Sequence, residues 1–137
     1  MYPPELVAPM QKDLTDVGFV ELSAAAEVDA ALTNTSGSTL VVVNSVCGCA
    51  AGSMRPGVIQ SLKNSKIPTN LVTVFAGVDV DSTAQARKHF LPYPPSSPSI
   101  GFFKDGKLVH FIERHHIEGK SAEMIAEHLS SVYDEYC

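Results

Sequence analysis

Leu40-Val41-Val42-Val43-Asn44-Ser45-Val46-Cys47-Gly48-Cys49-Ala50 is the stretch on which the fold turns. Four consecutive apolar residues, three of them β-branched, read as a strand buried on both faces, the kind found in parallel sheets. Two cysteines separated by one glycine follow at once. Ala50 to Lys63 can then wind into a helix, with Met54, Val58, Ile59 and Leu62 on its apolar side. Pro56 is expected to kink that helix or to lie in its first turns. The two sulfurs are thus expected where a buried strand ends and a helix begins. A helix N-terminus presents unpaired N–H groups and about half a positive charge, which favours thiolate over thiol. Cysteines so placed have pKa values drawn from about 8.5 down to roughly 3.5–7.5. The pattern points to thiol–disulfide chemistry.

Upstream, Leu6, Val7, Met10, Leu14 and Val17 suit one face of a helix that begins after Pro3-Pro4 and stops at Gly18. Phe19-Val20-Glu21-Leu22 alternates as a short strand. Ser23 is expected to cap a second helix, with Glu27 in its early turns and Val28 and Leu32 inward. Asn34-Thr35-Ser36-Gly37-Ser38 reads as a loop. Downstream, Leu71 to Val78 is a second buried strand closed by Asp79 and Asp81, and Ser82 to Phe90 a short helix. Leu91 to Pro98 holds four prolines in eight residues and is expected to be irregular. Ser99–Phe103 and Lys107–Ile112 flank Lys104-Asp105-Gly106, whose Asp-Gly is a strong hairpin signal. Gly119 to Tyr133 closes the chain as an amphipathic helix with Met124, Ile125, Leu129 and Val132 inward. Alternation of strands and helices predicts parallel strands with right-handed crossovers, and the hairpin adds an antiparallel edge. The expectation is one α/β domain over 1–137, a three-layer α/β/α sandwich with a mixed central sheet and an extra N-terminal helix.

Bulk properties narrow the partners. The 137 residues carry a net charge of -5 without a Lys/Arg cluster, which argues against nucleic acid. No apolar run approaches the ~20 residues of a membrane span. Met1-Tyr2-Pro3-Pro4-Glu5 lacks the layout of a signal peptide, so a cytoplasmic location is expected. Three cysteines, two nearly adjacent, do not make a disulfide framework; in a reducing compartment they suit catalysis, sensing or metal binding.

Taken together, the cysteines at the strand–helix junction, Pro98 ahead of the hairpin, and the closing helix resemble the thioredoxin fold. The segments Val43–Gly52 with Arg55-Pro56, Pro95-Ser96-Ser97-Pro98-Ser99, Arg114-His115-His116-Ile117-Glu118-Gly119 and the last residue, Cys137, resemble the bacilliredoxin family. That resemblance implies a thioredoxin-like fold and removal of bacillithiol from S-bacillithiolated client proteins, with disulfide isomerase activity as an alternative. It implies that Cys47 attacks and takes the small thiol, that Pro98 follows a cis peptide beside the cysteines, and that no cofactor is needed beyond bacillithiol as co-substrate. In contrast to thioredoxin, the pair is C-x-C, the chain has no Trp, and the strand offers Asn44 but no Asp as a buried base.

Residues i and i+2 of a helix point to nearly opposite sides, so a Cys47–Cys49 bridge needs a non-helical backbone at Gly48. A strained, readily reduced disulfide is expected, with Cys49 or a second low-molecular-weight thiol resolving the Cys47 adduct. The Ser97 backbone is expected to be free to pair with an extended substrate. A metal-binding or thiol-sensing module is the non-enzymatic alternative, but His89, His110, His115, His116 and His128 lack zinc-type spacing from the cysteines, so no metal site is assigned. Cys137 reads as a spectator or as a third redox residue able to resolve Cys47 within or between chains. Arg55 reads as solvated, His115-His116 as a solvent-facing strand cap, and Asp79 and Asp81 as strand-end and cap residues.

Overall fold

The computed structural model describes residues 2–33 and 36–137. Of the loop read at 34–38, Asn34 and Thr35 lie outside the described residues, and Ser38 already belongs to a strand. The elements are α1 (Pro4–Thr15), β1 (Val20–Glu21), α2 (Ala25–Leu32), β2 (Ser38–Asn44), α3 (Arg55–Ser61), β3 (Asn70–Phe75), α4 (Val80–His89), β4 (Ser99–Lys104), β5 (Lys107–Ile112), α5 (Arg114–Ile117) and α6 (Ala122–Tyr136).

β2 lies at the centre of a five-stranded sheet ordered β1-β3-β2-β4-β5. β1, β3 and β2 are parallel, and the β4–β5 hairpin adds two antiparallel pairings. All seven residues of β2 are buried, because side chains that alternate faces meet a helical layer on both sides. Leu40 and Val42 pack with Leu14, Val58, Ile125 and Leu129 under α1, α3 and α6. Val41 and Val43 pack with Val28, Leu32, Ala86 and Phe90 under α2 and α4. The expected α/β/α sandwich with its N-terminal helix and mixed sheet is the thioredoxin-like arrangement.

Several boundaries differ for local reasons. β3 ends at Phe75 rather than Val78, because residues 76–78 turn and Gly77 takes φ +85. Glu27 reaches back to accept from the Ser23 and Ala24 amides at 3.0 and 2.9 Å, which leaves Ala24, not Ser23, at the N-cap of α2. Met124 is 49% exposed, and Ala126 and Tyr133 take inward places on α6. That helix is capped by Ser121, whose hydroxyl accepts from the Met124 amide. α3 and α6 approach closely at Gly57, where a Cβ would stand 2.6 Å from that of Ile125. The Asp-Gly turn forms as read, with Asp105 and Gly106 at φ 51 and 79.

Candidate functional site

β2 delivers Ser45, Val46 and Cys47 to the end of the sheet, and helical backbone begins at Gly48. The first full turn, Ala50–Met54, is π-helical, with Arg55 N–H donating to Ala50 C=O. This wide turn meets Pro56, whose ring and missing N–H fit poorly in a regular turn. Cys49 is already helical, at φ -62 and ψ -37, and all three cysteines are free thiols. The non-helical backbone expected at Gly48 is therefore not a feature of this thiol form.

Cys47 is half-buried, and the Ser45 hydroxyl donates to its Sγ at 3.2 Å. Burial pushes the thiol pKa up. The Ser45 hydroxyl, the Ala50 and Cys49 amides and the Arg114 guanidinium outweigh it, so the thiol is held below its ordinary range. Ser45 and Cys47 line a cleft of about 340 Å³ together with Ser97, Arg87 and Arg114. Ser97–Pro98 is cis, and so is Leu91–Pro92 in the same proline-rich loop. Pro98 itself is buried. The Ser97 carbonyl is not free: Arg114 Nη1 donates to it at 3.1 Å, while Arg114 Nε donates to Glu118 at 2.6 Å.

The model for a family described as Disulphide isomerase matches residues 2–137. A protein named Bacilliredoxin from Cytophaga hutchinsonii is 59% identical over 135 residues, covering 98% of this chain and 99% of that one. Another so named, from Bacillus cereus, is 47% identical over 137 residues, covering 99% and 95%. The chain belongs to the bacilliredoxin family. Among solved structures, mitochondrial thioredoxin 3 from Saccharomyces cerevisiae shares the fold at TM-score 0.61 and 14% identity, covering 90% of this chain and 98% of that one. The thioredoxin-like domain of Arabidopsis NCP does so at TM-score 0.61 and 18% identity, covering 87% and 79%. Bacilliredoxin membership and this fold place the chain among thiol–disulfide oxidoreductase-type proteins.

In this bacilliredoxin-family chain the largest surprise is Arg55, which is buried at 4% exposure rather than solvated. Its Nη1 donates to Asn44 Oδ1 at 2.9 Å and to the Ser45 carbonyl at 2.8 Å, and its Nε pairs with Asp13 of α1 at 3.3 Å. It braces the backbone that carries Cys47. Asn44 Oδ1 also accepts from the Ser45 amide, and Nδ2 donates to Met10 C=O. That side chain is a strut, not a base. Cys137 lies at the far end of β2, with its Sγ 3.5 Å from Ser38 Oγ. Ser38 to Asn44 spans roughly 20 Å of strand, which rules out resolution of Cys47 by Cys137 within one chain.

Histidines do not line the cysteine cleft. Among the described residues the one group of three metal-type side chains is Glu113, His115 and His116, without a cysteine. His110 and His128 meet at Nε2, 2.9 Å apart, and burial, then neighbouring histidines, holds both below the ordinary range. Asp79 heads α4, where burial raises its pKa, and it raises that of Glu21 in turn, behind burial. Sequence reasoning singled out Cys47, Cys49, Ser97 and Pro98, but passed over Ser45 and Arg87 and gave Arg114 no role. Arg114 had a signal, since its segment carries the family resemblance; Arg87, beside Lys88 and His89 in the last turn of α4, has no local signal that sets it apart from a basic helix end.

Proposed function

We propose that this chain is a thiol–disulfide oxidoreductase that removes bacillithiol, or a similar small thiol, from mixed disulfides on cytoplasmic client proteins. The observation that carries this reading is the Cys47 thiol, held below its usual range in a cleft it shares with Ser97 and the cis Ser97–Pro98 peptide. Cys47 thiolate attacks the small-thiol sulfur of the mixed disulfide. That S–S bond breaks, the client leaves as thiolate and takes a proton from solvent, and Cys47 holds the small thiol. Cys49 thiolate then attacks Cys47 Sγ and expels the small thiol, leaving a Cys47–Cys49 disulfide; alternatively a second small thiol attacks the sulfur of the bound one, forms the symmetric small-thiol disulfide and expels Cys47 as thiolate. The Cys49 route requires the backbone at Gly48 to leave the helix, which a glycine allows.

The test is to treat a Cys49→Ala variant with a bacillithiol mixed disulfide and to weigh the protein. A bacillithiol-sized gain on Cys47 is expected; a gain on Cys137 instead, or none, overturns the assigned roles. The family description, Disulphide isomerase, favours a second reading in which Cys47 attacks protein disulfides. Reactivation of a scrambled disulfide-bonded protein, without a small-thiol adduct in the first assay, decides for that one.

A further inference from the structure

Four of the chain's five histidines line one cavity of about 380 Å³, together with Phe111 and Lys120. It shares no lining residue with the cleft at Cys47. Three elements supply the rings: His110 comes from the edge strand β5, His115 and His116 from α5, and His128 from α6. The two pairs differ. His115 and His116 stack on each other with centroids 4.0 Å apart, and His116 Nδ1 accepts from the Glu113 amide at 3.3 Å. His110 and His128 instead meet head to head, Nε2 to Nε2 at 2.9 Å, with centroids 5.0 Å apart. Two nitrogens that each lie about 2.0–2.1 Å from one ion are roughly 3.0–3.4 Å from each other. The pair stands within about half an ångström of that spacing, and the exposed ring of His128 has room to tilt. A histidine ligates as the neutral ring, and partial burial already holds both below their ordinary range. Lys120 opposes a cation in this cavity, while Glu113 and Glu135, whose charge acts on His110, favour one.

We propose that His110 and His128 clamp one divalent transition-metal ion of the zinc, nickel or copper class, with water in its remaining positions. Imidazole nitrogen suits that class of ion. The bond between the rings holds one proton, carried by one Nε2 and accepted by the other. For the ion to take both lone pairs, that proton moves to Nδ1 of its own ring, so the tautomer changes and no proton is lost. One N–H···N bond gives way to two nitrogen–metal bonds, which tie the edge strand β5 to α6. The rival donor set is Glu113, His115 and His116. It is the poorer one, because all three lie on or beside one four-residue helix and the His116 Nδ1 lone pair is already in use. The clamp is independent of the exchange chemistry at Cys47.

The experiment measures Zn²⁺ binding to the full chain by equilibrium dialysis at neutral pH, with the three thiols blocked by iodoacetamide so that sulfur cannot ligate. One ion per chain is expected. His110→Gln and His128→Gln should each weaken it at least about tenfold, the scale on which even a group that merely orients a ligand matters. His89→Gln, which removes the histidine outside the cavity, should leave the affinity unchanged. Zn²⁺ should also raise the urea midpoint of the wild-type chain but not of either clamp variant, because an ion that binds only the folded chain stabilises it. Urea denaturation without Zn²⁺ shows that each variant folds, and the exposed His128 carries the test if His110→Gln does not. No binding at millimolar Zn²⁺, or binding that survives both substitutions, overturns the clamp and leaves the pair a plain hydrogen bond. Binding lost in His115→Gln or His116→Gln, but kept in His110→Gln and His128→Gln, overturns it in favour of the trio with Glu113.

Discussion

The two ends of β2 carry the same pair of groups in different company. At one end the Ser45 hydroxyl lies 3.2 Å from Cys47 Sγ; at the other, Ser38 Oγ lies 3.5 Å from Cys137 Sγ. A serine hydroxyl beside sulfur is therefore not what distinguishes the site. Cys47 also sits at the opening of a helix, receives the Ala50 and Cys49 amides, and faces Arg114. Its backbone is braced from below by buried Arg55, whereas Cys137 is exposed at the end of α6. Donors held rigidly around the sulfur, rather than one neighbour, lower the cost of the thiolate.

The sharpest way to break this contrast is to delete each thiol in turn. Cys47→Ser should abolish small-thiol release from a mixed disulfide by orders of magnitude, while Cys137→Ser leaves the rate within about twofold. Equal losses in the two variants would erase the distinction. Next in size is the brace. Arg55→Met takes one of its two donors from Asn44 Oδ1 and the Arg55 donor from the Ser45 carbonyl, both buried, which should cost about 3 kcal/mol in urea denaturation. Arg87→Met, removing a buried N–H that has no partner, should cost less than about 0.5 kcal/mol in the same assay.

A smaller effect tests the hydroxyl. Ser45 favours the charged form of Cys47, so Ser45→Ala must raise the thiol pKa and move the iodoacetamide alkylation profile to higher pH. At pH 7 alkylation should slow about three- to tenfold, because less thiolate is present. Ser38→Ala, the matching change at the other end, should leave small-thiol release unchanged. A Ser45→Ala profile that does not move would reduce Ser45 to the status of Ser38.

Much of the scaffold was legible because its signals are local. The apolar run Leu40–Val43 reads as a doubly buried strand, Asp105-Gly106 as a tight turn, and Ile125, Leu129 and Val132 as one helix face. The errors are equally local in origin. Met124 falls within the apolar period yet ends 49% exposed, since periodicity gives a stripe but not its edges. Arg55 was misread because nothing near it in sequence announces its partners. They are Asp13, 42 positions earlier, and the Asn44 and Ser45 groups across a turn.

The amino-acid sequence by itself determined that two thiols follow a buried strand into a helix, and that a proline-rich loop precedes a hairpin. These outcomes follow from hydrophobic period, β-branching and turn chemistry, which act over a few residues. Only the tertiary structure decided which charges meet the sulfur. Arg87 from α4, Arg114 from the start of α5 and Ser97 from the proline loop converge on Cys47 because strand order sets β3 and β4 on either side of β2. The electrostatics of a thiol depend on groups within a few ångströms, and chain folding, not chain order, chooses those groups.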